Sequence, residues 1–350
     1  MKNLGRVVTG LGVLNLVLAA LWCAGIALLI NRSQAHLDAW PSDFGVFWQV
    51  AKLTLAGDGA RAFDAEAMAP LWQLPSTASY AWAPLWLYPP TWAAITAPFG
   101  ALAFSPAYAL YSALSLAVFT GALRSAVAGL PGGVMLVIAS PTVLAGIMLG
   151  NNGLITAAIA TAALTALAAG REVRSGAMMA LMALKPQLGV MLAIAAVAAR
   201  TPRTVVAAAL GTVLFAGLAT LVSGLDYWGA FVAAIGQHDS GIRSGADYQG
   251  AVAAYGYLDL FITPYAYARG LGLADEAALG LHAALALTGA GIAALGWHAL
   301  ASTRHGGRAP EGLVPAVIAL SLIMIPLIPH RALFYEAAFL VAAVPFLWRA

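Results

Sequence analysis

The acidic residue best placed for chemistry is Asp43. It follows an apolar stretch of about 9–30 and lies in a polar, aromatic-rich segment of about 31–90, in the run SDFGVFWQVAKLTLAGDGARAFDAEAMAP. A carboxylate at the outer mouth of a helix bundle can act as a general base, because it can take a proton from a hydroxyl group that arrives from outside. Asp64 lies later in the same segment, where we expect it to orient an acceptor or to cap a loop helix.

Lys185 is the basic residue best placed for chemistry, since it stands with Pro186 and Gln187 in the middle of the apolar stretch 175–199. Proline removes a backbone donor and disfavours a helical conformation in the residue before it. The sequence therefore predicts a broken or hairpin-like helix that enters the membrane, turns at Lys185 and returns. A lysine at that depth is costly and indicates a functional site. The alternative is a lysine that extends its ammonium group to the surface from a kinked helix.

A third polar group lies between the last two apolar stretches, in the run MIPLIPHRALFYEAAF, which contains His330, Arg331, Tyr335 and Glu336. Arginine binds phosphate through two parallel hydrogen bonds, so His330 and Arg331 are candidates for a phosphate site. An interfacial loop with an anchoring arginine would explain the same residues without any ligand.

Two further polar segments have simple explanations. The run 150–153, Gly-Asn-Asn-Gly, is typical of a tight turn, because asparagine and glycine both adopt left-handed backbone conformations. The loop of about 224–250 contains His238 and Asp239 and reads as a surface loop, with a mobile lid as the alternative. No zinc or P-loop pattern is present, and the one cysteine, Cys23, cannot build a disulfide or a thiolate metal site. We therefore predict neither a metal nor another cofactor.

The elements that must position these residues are membrane helices. The chain has 350 residues, of which 62% are hydrophobic and 9% are charged, whereas a soluble domain has about 25% charged residues. Apolar stretches of roughly 17–25 residues recur, as a bilayer core requires, and they do not alternate as the strands of a β-barrel would. We predict an all-α polytopic membrane protein with roughly nine to eleven transmembrane helices in one integral domain, residues 1–350.

Basic residues set the predicted orientation, since cytoplasmic loops are enriched in lysine and arginine. Lys2 and Arg6 precede the first apolar stretch, which reads as a retained signal anchor, so the N-terminus is predicted to be cytoplasmic. The segment 31–90 is then the first extracytoplasmic loop and 224–250 is the second. The remaining basic residues assigned to the cytoplasmic side are Arg171, Arg174, Arg200, Arg203, Arg304, Arg308 and Arg349.

The connecting segments do not alternate strictly between the two sides of the membrane. The candidate spans lie near 9–30, 84–103, 107–123, 131–150, 153–169, 175–199, 203–223, 278–299, 313–329 and 333–348. Counting them places Arg124 on the outer side, so one segment within 84–150 is predicted to be re-entrant or miscounted. The stretch 251–273 remains open as a short span or as a pair of interfacial helices.

The predicted orientation brings an acid, several cations and an aromatic wall of Trp82, Trp86 and Tyr88 to the outer side. Such a set suits a sugar linked to a lipid phosphate. The cations would hold the phosphate, the rings would stack on the sugar, and the carboxylate would deprotonate an acceptor hydroxyl. An interfacial belt of tryptophan and tyrosine would account for part of the wall.

Several motifs together resemble glycosyltransferase family 87, which is made up of integral membrane enzymes. The run SDFGVFWQVAKLTLAGDGARAFD is similar to the opening of the family, and LWLYPPTWAAITAPFGAL is similar to its Tyr-Pro-Pro element. SPTVLAGIMLGNNGLITAAI and SGAMMALMALKPQLGVML resemble its central part, and PHRALFYEAAFLVAAVPFL resembles its C-terminal element. Where the family often has Gly-Gln-x-Asn, this chain has Gly-Asn-Asn-Gly at 150–153, which weakens any role for that turn.

The resemblance implies a GT-C-type architecture and a reaction. A polyprenyl-phosphate monosaccharide, often of mannose, would donate its sugar with inversion on the extracytoplasmic face of the plasma membrane, and no metal is expected. The acceptor would be a glycolipid, a glycan or a protein, and nucleic acid is not expected as a partner. The family's catalytic aspartate corresponds to Asp43, its Lys-Pro lysine to Lys185 and its late histidine to His330.

We therefore assign Asp43 as the catalytic residue. The residues assigned to substrate binding are Lys185, His330, Arg331, Tyr88, Asp64 and Gln187. Two alternatives stay open at this stage. A broken helix at mid-membrane also suits a secondary transporter or a lipid-linked-sugar flippase, and a non-catalytic membrane subunit would tolerate Asp43→Asn.

Overall fold

Helices make up almost all of the regular structure. The computed structural model describes residues 2–32, 42–68, 86–244, 261–303, 309–330 and 332–350. Within these ranges, the secondary structure is helical apart from an isolated antiparallel β-bridge between Phe261 and Leu333. The predicted all-α class is therefore confirmed.

The bounds of the helices are as follows. The α-helices are α1 (Lys2–Arg32), α2 (Asp43–Leu55), α3 (Ala65–Met68), α4 (Pro90–Thr96), α5 (Phe104–Val127), α6 (Met135–Ile138), α7 (Pro141–Leu149), α8 (Gly153–Ala168), α9 (Glu172–Ala180), α10 (Val190–Ala198), α11 (Pro202–Ser223), α12 (Asp226–Ser244), α13 (Pro264–Gly270), α14 (Asp275–Thr303), α15 (Leu313–Leu327) and α16 (Ala338–Leu347). Short 3-10 helices lie at Gly59–Phe63, Ala97–Ala101, Leu181–Leu184, Pro186–Gly189 and Phe334–Ala337.

Four helices in the described ranges, α1, α5, α11 and α14, are long and apolar enough to cross a membrane. Shorter apolar helical segments lie at 153–168, 186–198, 313–327 and 334–347. The outer face of α11 carries bare aliphatic side chains, with Leu221 84% exposed and Val213 71% exposed. Such a surface is unfavourable in water and suits contact with lipid. The polytopic membrane class is confirmed.

Helix contacts show which way the chain runs. The side-chain amide of Asn15 donates to the carbonyl of Ile138 at 2.9 Å, and the indole of Trp22 donates to the carbonyl of Met148 at 3.0 Å. The contact moves toward the C-terminus of both segments, from Asn15 to Trp22 and from Ile138 to Met148. Helix α1 therefore runs parallel to the α6–α7 pair. Its N-terminal turns therefore lie at the same end of the bundle as the connection between α5 and α6.

That end collects basic residues, and we call it the basic end. The guanidinium of Arg349 donates to the carbonyl of Ala128, which brings the end of α16 to the end of α5. The arginines that lie at this end are Arg6, Arg124, Arg171, Arg174, Arg200, Arg203 and Arg349. The opposite end, which we call the far end, holds α2, α4, α12 and the turn between α7 and α8.

The segment around Lys185 forms a re-entrant hairpin. Gly176 of α9 lies against the backbone at Thr204, and Ala180 lies against Gly211 of α11, so α9 and α11 run parallel. The intervening α10 must therefore return toward the basic end before α11 begins. The chain rises through α9, turns at Lys185 and descends through α10, as the sequence predicts.

The remaining helices alternate between the two ends. Within the described ranges, α1, α6–α7, α11 and α15 run from the basic end to the far end, whereas α5, α8, α14 and α16 run back. The predicted number of nine to eleven transmembrane helices stays a prediction, because four of the described helices are long and apolar enough to cross a membrane.

Three predicted segments differ from the structure. The stretch 84–103 is not a span, because its described part contains only the seven-residue α4 and a 3-10 helix. The stretch 131–150 is not one continuous helix, since α7 begins separately at Pro141, capped by Ser140. Because 84–103 stays at the far end, α5 descends from there and Arg124 falls at the basic end, which removes the conflict. The predicted second loop, 224–250, is mostly the helix α12.

Candidate active site

Asp43 occupies the first turn of α2 at the far end. The Oγ atom of Ser42 caps the helix by accepting a hydrogen bond from the backbone N–H of Gly45 at 3.2 Å. A carboxylate in the first turn is also favoured by the positive end of the helix dipole. The Asp43 side chain is half-buried. The local sequence therefore fixes the carboxylate at a helix start without removing all access to it.

Aromatic side chains hold α2 in place. The ring of Phe44 lies 4.9 Å from the ring of Tyr111 and 5.6 Å from that of Phe104, both on α5. The indole of Trp48 donates to the carbonyl of Leu102 at 2.9 Å. Such aromatic pairs add about 0.5–1.5 kcal/mol each beyond the burial of their surface. Asp43 thus sits on a helix that cannot easily shift relative to α5.

Lys185 forms a buried ion pair with Glu336. Its Nζ atom lies 2.9 Å from Oε1 of Glu336, and each side chain is only 5% exposed. The second carboxylate oxygen, Oε2, accepts a hydrogen bond from the backbone N–H of Leu333 at 3.1 Å. The hairpin tip, with Pro186 directly after Lys185, is thereby joined to the 3-10 helix Phe334–Ala337.

Two tyrosine rings flank the ammonium group. Nζ of Lys185 lies 5.4 Å from the ring centre of Tyr88 and 4.8 Å from that of Tyr335, within the range of cation–π attraction. The hydroxyl of Thr91 donates to the carbonyl of Ala183 at 2.7 Å, which ties α4 to the hairpin.

Burial dominates the electrostatics of Asp43. Desolvation raises the pKa of the Asp43 carboxyl to about 6, and the positive charge of Lys185 acts in the opposite direction. A carboxylic acid with a pKa near the ambient pH is suited to general base catalysis, because it is largely deprotonated yet still basic. We call the group of Asp43, Tyr88, Lys185, Tyr335 and Glu336 the charged cluster.

The turn 150–153 lies beside the charged cluster. Gly150 has a left-handed backbone, with φ of 64°, and packs against Phe44, while Gly153 approaches the carbonyl of Tyr335. Asn151 and Asn152 are almost fully buried, and neither Nδ2 atom has a hydrogen-bond partner among the described residues. The sequence predicts a plain turn at this segment. In the structure, the same turn also brings two asparagine side chains close to the candidate site.

His330 belongs to a second group, which we call the histidine cluster, formed by Tyr265, His282 and His330. The His330 ring lies 5.4 Å from the ring of Tyr265 and 6.4 Å from that of His282. His282 is buried in α14, and its Nε2 atom lies 3.1 Å from the carbonyl oxygen of Ile328. In the chain, His330 precedes the 3-10 helix Phe334–Ala337, which carries Glu336.

Three further predicted site residues lie apart from the charged cluster or outside the described residues. Gln187 is exposed on the 3-10 helix that follows Lys185. Asp64 is exposed at the end of the 3-10 helix Gly59–Phe63, with one carboxylate oxygen 3.8 Å from Nε of Arg61. Arg331 lies outside the described residues, as does Trp82 of the predicted aromatic wall.

Sequence reasoning assigned no role to Glu336 or His282. A signal for the first existed, because a lysine buried in an apolar stretch needs a compensating acid, and few acids occur in this chain. A histidine inside a membrane span is likewise a functional candidate by default. No group of three or more potential metal ligands occurs in the described part of the chain.

An apolar cavity of about 430 Å³ opens beside the hairpin, between α10 and α11. Met182 and Pro186, which lie on either side of Lys185 in the chain, contribute to one wall, and Ala193 and Ala208 contribute to the others. The cavity therefore extends along the outside of the element whose tip carries the buried lysine.

A comparison with known families decides the class of this protein. The family model of glycosyltransferase family 87 matches residues 86–329, well over half of the chain. The chain belongs to glycosyltransferase family 87. The resemblance noted from the sequence is thus confirmed, and a family 87 protein is expected to transfer a sugar between a donor and an acceptor.

The matched region includes Tyr88 and Lys185 but ends before His330, and it begins after Asp43. No curated protein and no solved structure shows significant similarity to the chain. The roles of Asp43 and Glu336 in this family 87 member therefore depend on the geometry described above.

Proposed function

We propose that this protein is an inverting glycosyltransferase that moves a hexose, in the first instance mannose, from a polyprenyl-phosphate donor to an acceptor hydroxyl. The observation that carries the proposal is the position of Asp43. A carboxylate with a pKa of about 6 lies on a capped helix within the electrostatic reach of a buried lysine, in a family 87 protein.

The proposed reaction is a single displacement. The acceptor oxygen attacks the anomeric carbon and passes its proton to the Asp43 carboxylate, while the bond from that carbon to the phosphate oxygen breaks. The bonding electrons leave with the phosphate, so inversion follows from attack opposite the leaving group. Lys185 favours the growing negative charge on the phosphate by its positive field, and Tyr88 offers a ring face for the sugar.

The predicted phosphate ligands His330 and Arg331 keep their role in this proposal. His330 lies six residues before Glu336, the partner of Lys185, so the two candidate regions are close together in the chain. Asp64 and Gln187 are exposed, and any contact they make would be with an acceptor or with the outer part of the donor.

The apolar cavity supports a donor with a hydrocarbon tail. It lies on the outer side of the hairpin, next to α11 with its exposed aliphatic face. A polyprenyl chain could enter from the lipid and follow this cavity toward the hairpin tip. Ala193→Phe would narrow the cavity, and we expect it to raise KM for a long-chain donor more than KM for a short-chain donor.

The location of the site supports transfer on the extracytoplasmic face. The charged cluster lies at the far end, away from the arginines of the basic end, and basic residues favour the cytoplasmic side. We accordingly propose a multi-pass plasma-membrane enzyme with a cytoplasmic N-terminus, whose acceptor is a glycolipid, a glycan or a protein.

The test is sugar transfer by purified protein in membranes, with radiolabelled polyprenyl-phosphate mannose and a lipid extract of the host. Asp43→Asn should lower the rate by about 10²–10⁴-fold, since it removes the proton acceptor. Asp58→Asn is the matched control, because Asp58 is exposed and caps no helix with its side chain. Equal transfer by wild type and Asp43→Asn would remove Asp43 from the mechanism. Flipping of the donor without transfer would favour the transporter alternative.

A further inference from the structure

Among the described residues, the positive charge of Lys185 interacts with two carboxylates, those of Glu336 and Asp43. Glu336 holds the ammonium group directly, at 2.9 Å, whereas Asp43 acts on it without a salt bridge in this structure. The position of the lysine between the two acids therefore depends on Glu336.

We propose that Glu336 is a positioning residue: it holds Lys185 away from direct pairing with Asp43 and so keeps the Asp43 carboxylate free to accept a proton. In the absence of Glu336, the nearest compensation for the buried ammonium group would be Asp43 itself. A direct Lys185–Asp43 pair would occupy the base and lower its affinity for the acceptor's proton. The activity part of this inference rests on the proposed function, whereas its electrostatic part does not.

The geometry of Glu336 suits this role because both of its oxygens are fixed. One binds Lys185 and the other accepts the hydrogen bond from the backbone N–H of Leu333. The rings of Tyr88 and Tyr335 then limit where the ammonium group can move. A side chain held at both oxygens can set the position of its partner to within a fraction of an ångström.

Stability alone is a weak explanation for this pair. The free-energy cost of removing two charges from water is about as large as the attraction between them. Well-packed apolar side chains of similar size often give equal or greater folding stability. The pair also lies beside the one described carboxyl group whose pKa burial raises to about 6. An influence on that group is the simplest function for the pair.

Among the described residues, the groups that face Asp43 and Lys185 come from four elements. They are Tyr88 before α4, Tyr111 of α5, Lys185 at the hairpin tip, and Tyr335 with Glu336 in the 3-10 helix. Burial raises the pKa of Tyr88 above its ordinary value, so its hydroxyl stays neutral near pH 6. Changes in the titration of Asp43 between pH 4 and 8 would thus report on Lys185 and Glu336.

The experiment measures the protonation of Asp43 without requiring activity. Dicyclohexylcarbodiimide labels protonated carboxyl groups in apolar surroundings, and mass spectrometry of peptides identifies the labelled residue. The pH midpoint of Asp43 labelling would be compared in wild type, Glu336→Gln and the double variant Lys185→Met with Glu336→Leu. Glu311→Gln is the matched control, because Glu311 is exposed and lies outside the charged cluster.

Opposite shifts are expected. In wild type the midpoint should be about 6. Glu336→Gln leaves Lys185 free to pair with Asp43, so the midpoint should fall by about one pH unit or more. The double variant removes the cation, so the midpoint should rise. Glu311→Gln should match wild type.

Several results would overturn the inference. An unchanged midpoint in Glu336→Gln, with the protein still monodisperse, would show that Glu336 has only a structural role. A shift in the same direction in both variants would do the same. Should Glu336→Gln fail to fold, the double variant decides, since a wild-type midpoint there would mean that Lys185 exerts no field on Asp43.

The transfer assay separates this inference from the proposed function. Labelling shifts without any sugar transfer by wild type would support the coupling and count against the proposed reaction. If transfer occurs, the acidic limb of its pH profile should move with the labelling midpoint in each variant. A purely structural defect would lower the rate at every pH without moving that limb.

Discussion

The charged cluster and the histidine cluster are both buried polar groups at the far end, and they differ in how their members are held. In the charged cluster, Lys185 and Glu336 are ionised partners, each only 5% exposed. In the histidine cluster, His282 contacts a carbonyl oxygen and His330 packs ring to ring. Removing Lys185 or Glu336 leaves an unpaired charge in the first cluster, whereas removing His282 takes a contact from a neutral carbonyl oxygen in the second. The two clusters should therefore respond very differently to substitution.

The largest effect on stability is expected from Lys185→Met. This change leaves Glu336 as a buried acid without its partner, at a cost of about 3–5 kcal/mol. Thermal unfolding in detergent would measure it, with Lys52→Met as the control, since Lys52 is exposed and its ammonium group lies over the ring of Trp48. Adding Glu336→Leu should restore most of the loss. A single variant as stable as wild type would show that the pair is not a tight unit.

The next effect concerns pH. Because burial raises the pKa of Asp43 to about 6, the proportion of deprotonated base grows with pH up to that value. Transfer should rise about tenfold per pH unit below pH 6 and level off above it. Rates measured from pH 4.5 to 8 would check this, and His282→Leu should leave the midpoint in place. A flat profile would argue against Asp43 as the titrating base.

A smaller effect is expected in the histidine cluster. His282→Leu removes the contact with the carbonyl oxygen of Ile328 and leaves that oxygen without this partner, at a cost of about 1–3 kcal/mol. Thermal unfolding would again be the measurement, and His298→Leu, at an exposed position of the same helix, serves as the control. A loss as large as that of Lys185→Met would mean that the two clusters do not differ as proposed.

The smallest effects are expected at the exposed residues. Gln187→Ala and Asp64→Asn lie outside both clusters, and surface substitutions usually change stability by less than about 0.5 kcal/mol. Transfer by either variant should stay within about threefold of wild type. A large rise in KM for the donor in Gln187→Ala would instead indicate that Gln187 contacts the donor.

The sequence allowed parts of both clusters to be predicted, for physical reasons that differ by residue. Lys185 could be found because a charge beside proline in an apolar stretch violates the ordinary composition of a span. Asp43 could be found from its place after the first apolar stretch. The break in 131–150 and the non-spanning nature of 84–103 could not, because buried short helices and membrane spans share the same apolar composition.

The sequence indicates that Lys185 needs an acidic partner, but it does not identify which acid that partner is. Glu336 lies 151 residues from Lys185, and no local pattern links the two. Gln187 was assigned with Lys185 because they are close in sequence, but the 3-10 turn directs one side chain inward and the other outward. The position of the turn 150–153 beside Tyr335 likewise depends on how α8 packs against the last 3-10 helix.

The hairpin has a consequence for how this chain is counted. The stretch 172–200 is long enough to be mistaken for a single span. Its two arms enter and leave at the same end of the bundle, however, so it does not change the side on which later segments lie. If this stretch is counted as one crossing, the assigned direction of every later helix is reversed. His330 and Glu336 are then assigned to the compartment opposite Asp43. A reporter enzyme inserted after Gly224 would distinguish the two cases, because only an even number of crossings between Asp43 and Glu336 leaves both residues in one compartment.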